Sequence, residues 1–283
     1  MVEENMSYRI LVDSCTDLTK DMRKNEHLKI IPLTLRIEDR VFVDNEEFNQ
    51  KEFLKVMNEN PTSPKSACPS PQDYLNEFDF DGDIYVVTIS SALSGSNNSA
   101  ELAKRLYLEE HPNKNIAIFD SRSASVGQTL ITMKIEELIA KGYEFDEVIL
   151  KINAFRSEMN TKFVLESLDN LRKSGRLSHL KALVANVLNI KPIMGGTPEG
   201  TIAKLEQARG IKKALISMAN IIEKDIIKPK ERILAIAHCN CYERALFIRD
   251  EILKRIPFKD YFIVDTAGVS SMYANEGGII VAY

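Results

Sequence analysis

The chain has no tryptophan, and only four histidines and four cysteines among its 283 residues. That scarcity limits metal and nucleophile chemistry. Cys15, Cys68, Cys239 and Cys241 stand in unlike surroundings, and a C-x-C pair without further His or Cys partners is a poor zinc signature. Reduced cysteines and a cytoplasmic location are the expectation. No apolar run approaches the ~18 residues of a membrane span, so no integral membrane segment is expected. The opening MVEENMSYR is acidic and polar, unlike a secretory signal. A net charge of −4 gives no field that would draw nucleic acid.

Familiar catalytic arrangements are missing as well. There is no G-x-S-x-G elbow and no Walker loop, and GGTPEG at 195–200 is not a dinucleotide fingerprint. His27 and His111 lie among charged residues, and His238 closes an apolar run. Asp13 and Asp120 are conceivable metal ligands, but Asp before Ser at a strand end equally makes a cap or a turn. No nucleophile is paired with a base, so no catalytic residue and no metal site are assigned. Binding is better supported than chemistry.

What the chain does have is alternation of short apolar runs with helical patterns. Residues 8–12, 83–90 and 116–119 read as strands, and 98–110, 125–141 and 146–160 as helices. This β-α-β order predicts a mostly parallel, helix-covered sheet in a first domain, residues 1–155. The run 28–37 is rich in β-branched residues, and its Pro32 argues for an edge or a bulge. Residues 156–283 predict a second domain of mixed α/β (α+β) type. It contains a hairpin around GGTPEG, helices over 168–173, 179–186, 210–228 and 242–255, and strands over 163–166, 232–237, 261–264 and 278–283. The final strand fits either sheet.

The first-half strands leave in related ways: VDSCTD, TISSALSGS and FDSRSAS. Ligands of open parallel sheets bind outside the carboxyl ends of strands, where helix N-termini favour anions. The 94–98 loop therefore reads as part of an anion or polar head-group site. Capping explains it equally well, since Asn98 and Glu101 have capping-box spacing. Another polar stretch, PTSPKSACPSPQDY at 61–74, explains Ser70 and Pro71 as the start of a helix. It leaves Ser66-Ala67-Cys68 unexplained.

Together these segments resemble the DegV family of bacterial fatty-acid-binding proteins. VDSCTDL is similar to the family's D-S-[ST]-x-D-L. IPLTLRIEDRVFVD is similar to its P-L-x-[VI] strand and aromatic-x-Asp turn, and KSACPSP to K-T-S-Q-P-S-P. ISSALSGSNNSA, FDSRSASVG, LDNLRKSGRLS and LNIKPI…ARGIKKAL follow in family order. The resemblance covers essentially the full length. It implies a two-domain, non-catalytic carrier that encloses one long-chain fatty acid, with no cofactor. In some members the carrier presents that acid to a separate kinase subunit. The resemblance makes Ser66 and Ser94 head-group hydroxyls, with Gly95 and Asn98 in the same loop, and Arg176 the cation near the carboxylate. Many members end in G-x-H-x-G-P-G. Here the segment is GVSSMYANEGG, which puts Ala274 at the His position and Tyr273 and Asn275 beside it as candidate contacts. The competing expectation is a small-molecule enzyme or phosphotransfer subunit built on the strand-end Asp and Ser loops.

Overall fold

The computed structural model describes residues 7–178, 180 and 189–283. The helix expected over 179–186 lies outside the described residues, apart from Leu180. Four parallel strands, in the order β2-β1-β6-β7, form the first sheet. They are β1 (Tyr8–Asp13), β2 (Leu28–Ile31), β6 (Asp83–Thr88) and β7 (Ile116–Asp120). The central strands are apolar on both faces, because helices cover both. Pro32 does more than mark an edge. It ends β2 and turns the chain into a separate three-stranded sheet, β4-β3-β5. That sheet pairs β3 (Thr34–Ile37) with β4 (Arg40–Val43) and β5 (Lys65–Ala67).

Helix α1 (Gln50–Glu59) precedes β5, and α2 (Pro71–Phe78) follows it. Ser70 starts α2 as expected: its hydroxyl accepts from Asp73 N–H at 3.3 Å, the Asp73 carboxylate accepts from Ser70 N–H at 2.7 Å, and Pro71 opens the helix. Helix α3 (Ser96–Glu110) begins before the expected Asn98. Its N-cap is Gly95, and Asn98 falls inside the first turn, so the capping box does not form. The loop supplies the turn instead, with Ser94 Oγ accepting from Ser96 N–H at 3.3 Å.

The second sheet has the order β10-β9-β8-β13-β11-β12 and is mixed. Its strands are β8 (Thr161–Val164), β9 (Ile190–Gly196), β10 (Ile202–Arg209), β11 (Ile233–His238), β12 (Asp260–Asp265) and β13 (Ile279–Ala282). The final strand joins this sheet, antiparallel to both β8 and β11. Helices α5 (Phe145–Glu158), α6 (Asp169–Lys173), α7 (Ile211–Asp225), α8 (Tyr242–Leu253) and the short α9 (Gly268–Ala274) complete the described chain.

Helix α4 (Val126–Ala140) lies between the two main sheets. Ile131, Ile135 and Leu138 pack against β1 and β6 with Val12 and Val87. Val126 and Leu130 pack against Ala235, Ala237 and Ala282 of the second sheet. A helix covered on two sides carries apolar residues all round, and α4 does. The hairpin turn between β9 and β10 also docks on the first sheet. Ser90 Oγ donates to Gly200 O at 2.8 Å, and a Cβ on Gly200 would stand 2.2 Å from the Ser90 Oγ. Only glycine allows this approach.

Candidate functional site

Between the two main sheets lies a cavity of about 850 Å³, counted with its open mouth. Leu33, Ile89, Phe163, Leu165, Ile202 and Val269 form much of its wall, drawn from both halves of the chain. The wall also includes Ser66, Ser94, Arg176 and Tyr273, a polar cluster linked by the Ser66–Tyr273 bond, the Arg176–Tyr273 contact and the bond of Arg176 to Leu93 O, next to Ser94.

Each member of the cluster is held by local structure. Ser66 sits in the middle of β5, opposite Leu35, so the pairing with β3 fixes where its side chain points. Its hydroxyl lies 3.1 Å from the Tyr273 hydroxyl. Ser94 ends the loop after β6, with its N–H bonded to Ser90 O at 3.1 Å. Arg176 follows a Schellman turn: Gly175 N–H bonds Arg172 O at 3.1 Å and Arg176 N–H bonds Leu171 O at 3.0 Å. Gly175 has φ +82, the left-handed geometry this turn requires. The guanidinium then crosses to the first half of the chain, donating from Nε to Leu93 O at 3.1 Å and from Nη1 to Ser174 O at 2.8 Å. It also stands 5.8 Å from the centre of the Tyr273 ring. A cation, two serine hydroxyls and a phenol at one place on an apolar cavity suit an amphiphile with an anionic head.

Two strand-end carboxyls, buried Asp13 and half-buried Asp120, lie outside the cavity wall. Asp13 receives hydrogen bonds from Ile89 N–H (2.8 Å), Cys15 N–H (3.3 Å), Ser96 Oγ (2.6 Å) and Gln128 Nε2 (2.9 Å). Burial raises its pKa, and these bonds oppose the rise. Asp120 is likewise occupied, by Ser91 N–H, Ser91 Oγ and Arg122 N–H. Both aspartates therefore tie strand-end loops together. Among the described residues, no group of three or more His, Cys, Asp or Glu could hold a metal ion.

Two further carboxyls hold the start of α9, the helix that carries Tyr273. Asp17 accepts from Ala267 N–H at 2.6 Å and from the Ser125 hydroxyl. Asp44 accepts from Gly268 N–H at 2.7 Å and Val269 N–H at 2.8 Å. Burial, the largest influence, pushes Asp17 up to about 7 and Asp44 up to about 6, against the lowering effect of these bonds. Ser125 itself has φ 59 and ψ −130, a strained backbone for a residue with a side chain.

A model of the family described as "Uncharacterised protein, DegV family" matches residues 7–283. The chain belongs to the DegV family. A DegV domain-containing protein of Streptococcus gordonii is 39% identical over 98% of this chain and 99% of its own length. Among solved structures, a DegV protein of Ruminococcus gnavus with vaccenic acid is 47% identical with a TM-score of 0.95, covering 98% of this chain and 99% of its own. The Streptococcus pneumoniae Fatty Acid Kinase (Fak) B3 protein loaded with linoleic acid is 35% identical with a TM-score of 0.90, at the same coverages.

The DegV motifs do not all reach the cavity. Gly95 is exposed at the N-cap of α3, where a Cβ would stand 3.1 Å from Cys68 Sγ, so the proline-rich loop and the L-S-G loop touch here. Asn98 is exposed on α3, outside the cavity wall. Asn275 is also outside it, bonded to Ser167 O (3.4 Å) and Tyr273 O (3.3 Å). Ala274, at the motif's His position, does line the cavity. His238 does not. It accepts from Cys241 N–H at 3.3 Å and faces Asp265 at 3.5 Å, and burial lowers its pKa while Asp265 opposes that shift. Cys15, Arg122, Thr161 and Ser270 line the cavity without having been singled out. Nothing in their spacing marks them, since they meet only through the stacking of the two sheets.

Proposed function

We propose that this protein is a cytoplasmic carrier for one long-chain fatty acid. Its two domains divide near residue 155, and it performs no chemistry of its own. The observation that carries this reading is the cavity: apolar walls contributed by both halves, with Ser66, Ser94, Arg176 and Tyr273 gathered at one place on it. The carboxylate lies at that cluster and the acyl tail runs along the apolar wall. Burying ~14 methylenes at ~0.8 kcal/mol each supplies roughly 11 kcal/mol of gross driving force. The tail therefore provides most of the affinity. The polar cluster fixes orientation, and Arg176 offsets the several kcal/mol an unpaired buried carboxylate would cost.

Relatives that match over nearly the whole chain support the ligand class, since their structures hold vaccenic, linoleic and heptadecanoic acids. The pneumococcal relative's name, a fatty acid kinase B protein, extends the reading to a separate kinase subunit as partner. Among the described residues, no helix is long and apolar enough to cross a membrane. The decisive experiment is to purify the protein from cells, denature it and extract lipid. About one fatty acid per chain supports the carrier. Lipid-free protein that turns over a phosphorylated metabolite replaces it with an enzyme.

A further inference from the structure

The two residues that would meet the carboxylate from the second half, Arg176 and Tyr273, sit on different elements. Arg176 leaves the Schellman turn after α6, and Tyr273 belongs to the last turn of α9. The guanidinium and the phenol ring make a contact of 5.8 Å between group centres, too loose to hold either in place. Something else must keep the two elements in register.

One side chain connects them. Asn170, on the first turn of α6, donates from Nδ2 to Met272 O at 2.7 Å and to Asn275 Oδ1 at 3.3 Å. The carbonyl of Met272 is an acceptor only, so the amide nitrogen must face it, which fixes the orientation of the Asn170 amide. Met272 directly precedes Tyr273. Its carbonyl also belongs to the last turn of α9, where helix carbonyls lack intrahelical donors. Asn275 completes the clasp: its backbone has φ 56, and its own amide reaches Ser167 O, just ahead of α6.

We propose that Asn170 is a positioning residue for head-group recognition, holding the Tyr273 helix against the Arg176 turn. This inference rests on the carrier reading above. It assigns Asn275 to the same clasp rather than to the ligand. The carboxylate meets a pre-set pair of donors, and pre-set geometry is where the free acid gains over an uncharged analogue.

The test compares vaccenic acid with its methyl ester, each by displacement of a fluorescent acyl probe. Asn170→Leu is near-isosteric, uncharged and lacks the donor. It should reduce the acid-over-ester affinity ratio by about 2- to 10-fold, the worth of one hydrogen bond, with ester affinity and melting temperature close to wild type. Asn275→Gly keeps the positive φ and removes the second amide, so it should lower the ratio in the same direction. An unchanged ratio in Asn170→Leu overturns the proposal. So does an equal loss of acid and ester together with a lower melting temperature, which would make Asn170 structural only. Wild type without any preference for the acid would instead remove the head-group reading, and this proposal with it.

Discussion

The hydroxyls of Ser66 and Tyr273 lie 3.1 Å apart although 207 residues separate them in the chain. The bond joins the small sheet of the first half to a helix of the second, at the cavity's polar cluster. On the proposed carrier reading, a carboxylate bound there would meet two converging hydroxyls.

Loss of the Ser94 hydroxyl should weaken fatty-acid binding selectively. A hydrogen bond to a charged group is worth ~1.5–3 kcal/mol, so Ser94→Ala should lower affinity by roughly 10- to 150-fold in probe displacement. Ser96→Ala should act differently. Ser96 Oγ is buried between Asp13 (2.6 Å) and the Tyr74 hydroxyl (2.7 Å), so its removal should lower the melting temperature more than the affinity. Equal affinity in wild type and Ser94→Ala would take Ser94 out of the site.

Arg176→Ala should discriminate between ligands. Binding of a free fatty acid should fall much further than binding of its methyl ester, because only the acid leaves a charge to be compensated. Arg176→Lys should recover part of the loss, since it keeps the charge and loses the fork that reaches Leu93 O and Ser174 O. Parallel loss for acid and ester would mark the arginine as a brace between the halves.

Asp17 should give the protein an unusual pH dependence. Burial raises its carboxyl to about 7 in the folded protein, above the ordinary value of 3.8. A carboxyl raised by folding binds its proton more tightly in the native state, so its contribution is full below the unfolded pKa. That contribution is lost as pH rises from about 4 to about 7. At about 1.4 kcal/mol per unit, the loss is roughly 4 kcal/mol. Asp17→Asn should therefore melt higher than wild type at pH 8 and close to it at pH 4. A difference in melting temperature that did not change with pH would refute this assignment.

Gly175→Ala should cost stability and affinity together. It forces a Cβ into left-handed backbone, a penalty of ~1–2 kcal/mol, and displaces the turn that presents Arg176. Gly175→Asn should be milder, because asparagine tolerates this conformation. Thermal melts and acid binding measured on the two variants would show whether the ranking holds.

Much of the fold was legible because parallel strands and their helices carry strong local patterns. The strands at 8–13 and 83–88, the GGTPEG hairpin and the Ser70 cap all follow from runs of a few residues. Shorter elements were not. Residues 65–67 form a strand only because Leu35 and its neighbours pair with them, and a polar, proline-flanked triplet shows no period of two. The helix 268–274 has seven residues, two turns at most, and its start is fixed by Asp17 and Asp44 from far earlier in the chain. The site divided the same way. Ser66, Ser94, Arg176 and Tyr273 all line the cavity, whereas Asn98 sits in the first turn of a helix and Asn275 bonds Ser167 O, both outside the wall. Adjacency in sequence does not say which side of a turn faces the cavity.

Helix α4 has one further consequence. Its residues complete both sheets' cores at once, so neither sheet can shed it without exposing its own apolar face. Two halves that share a buried wall in this way lose their independence. Despite the two-sheet plan, the molecule should give one calorimetric transition, with the van't Hoff and calorimetric enthalpies in agreement.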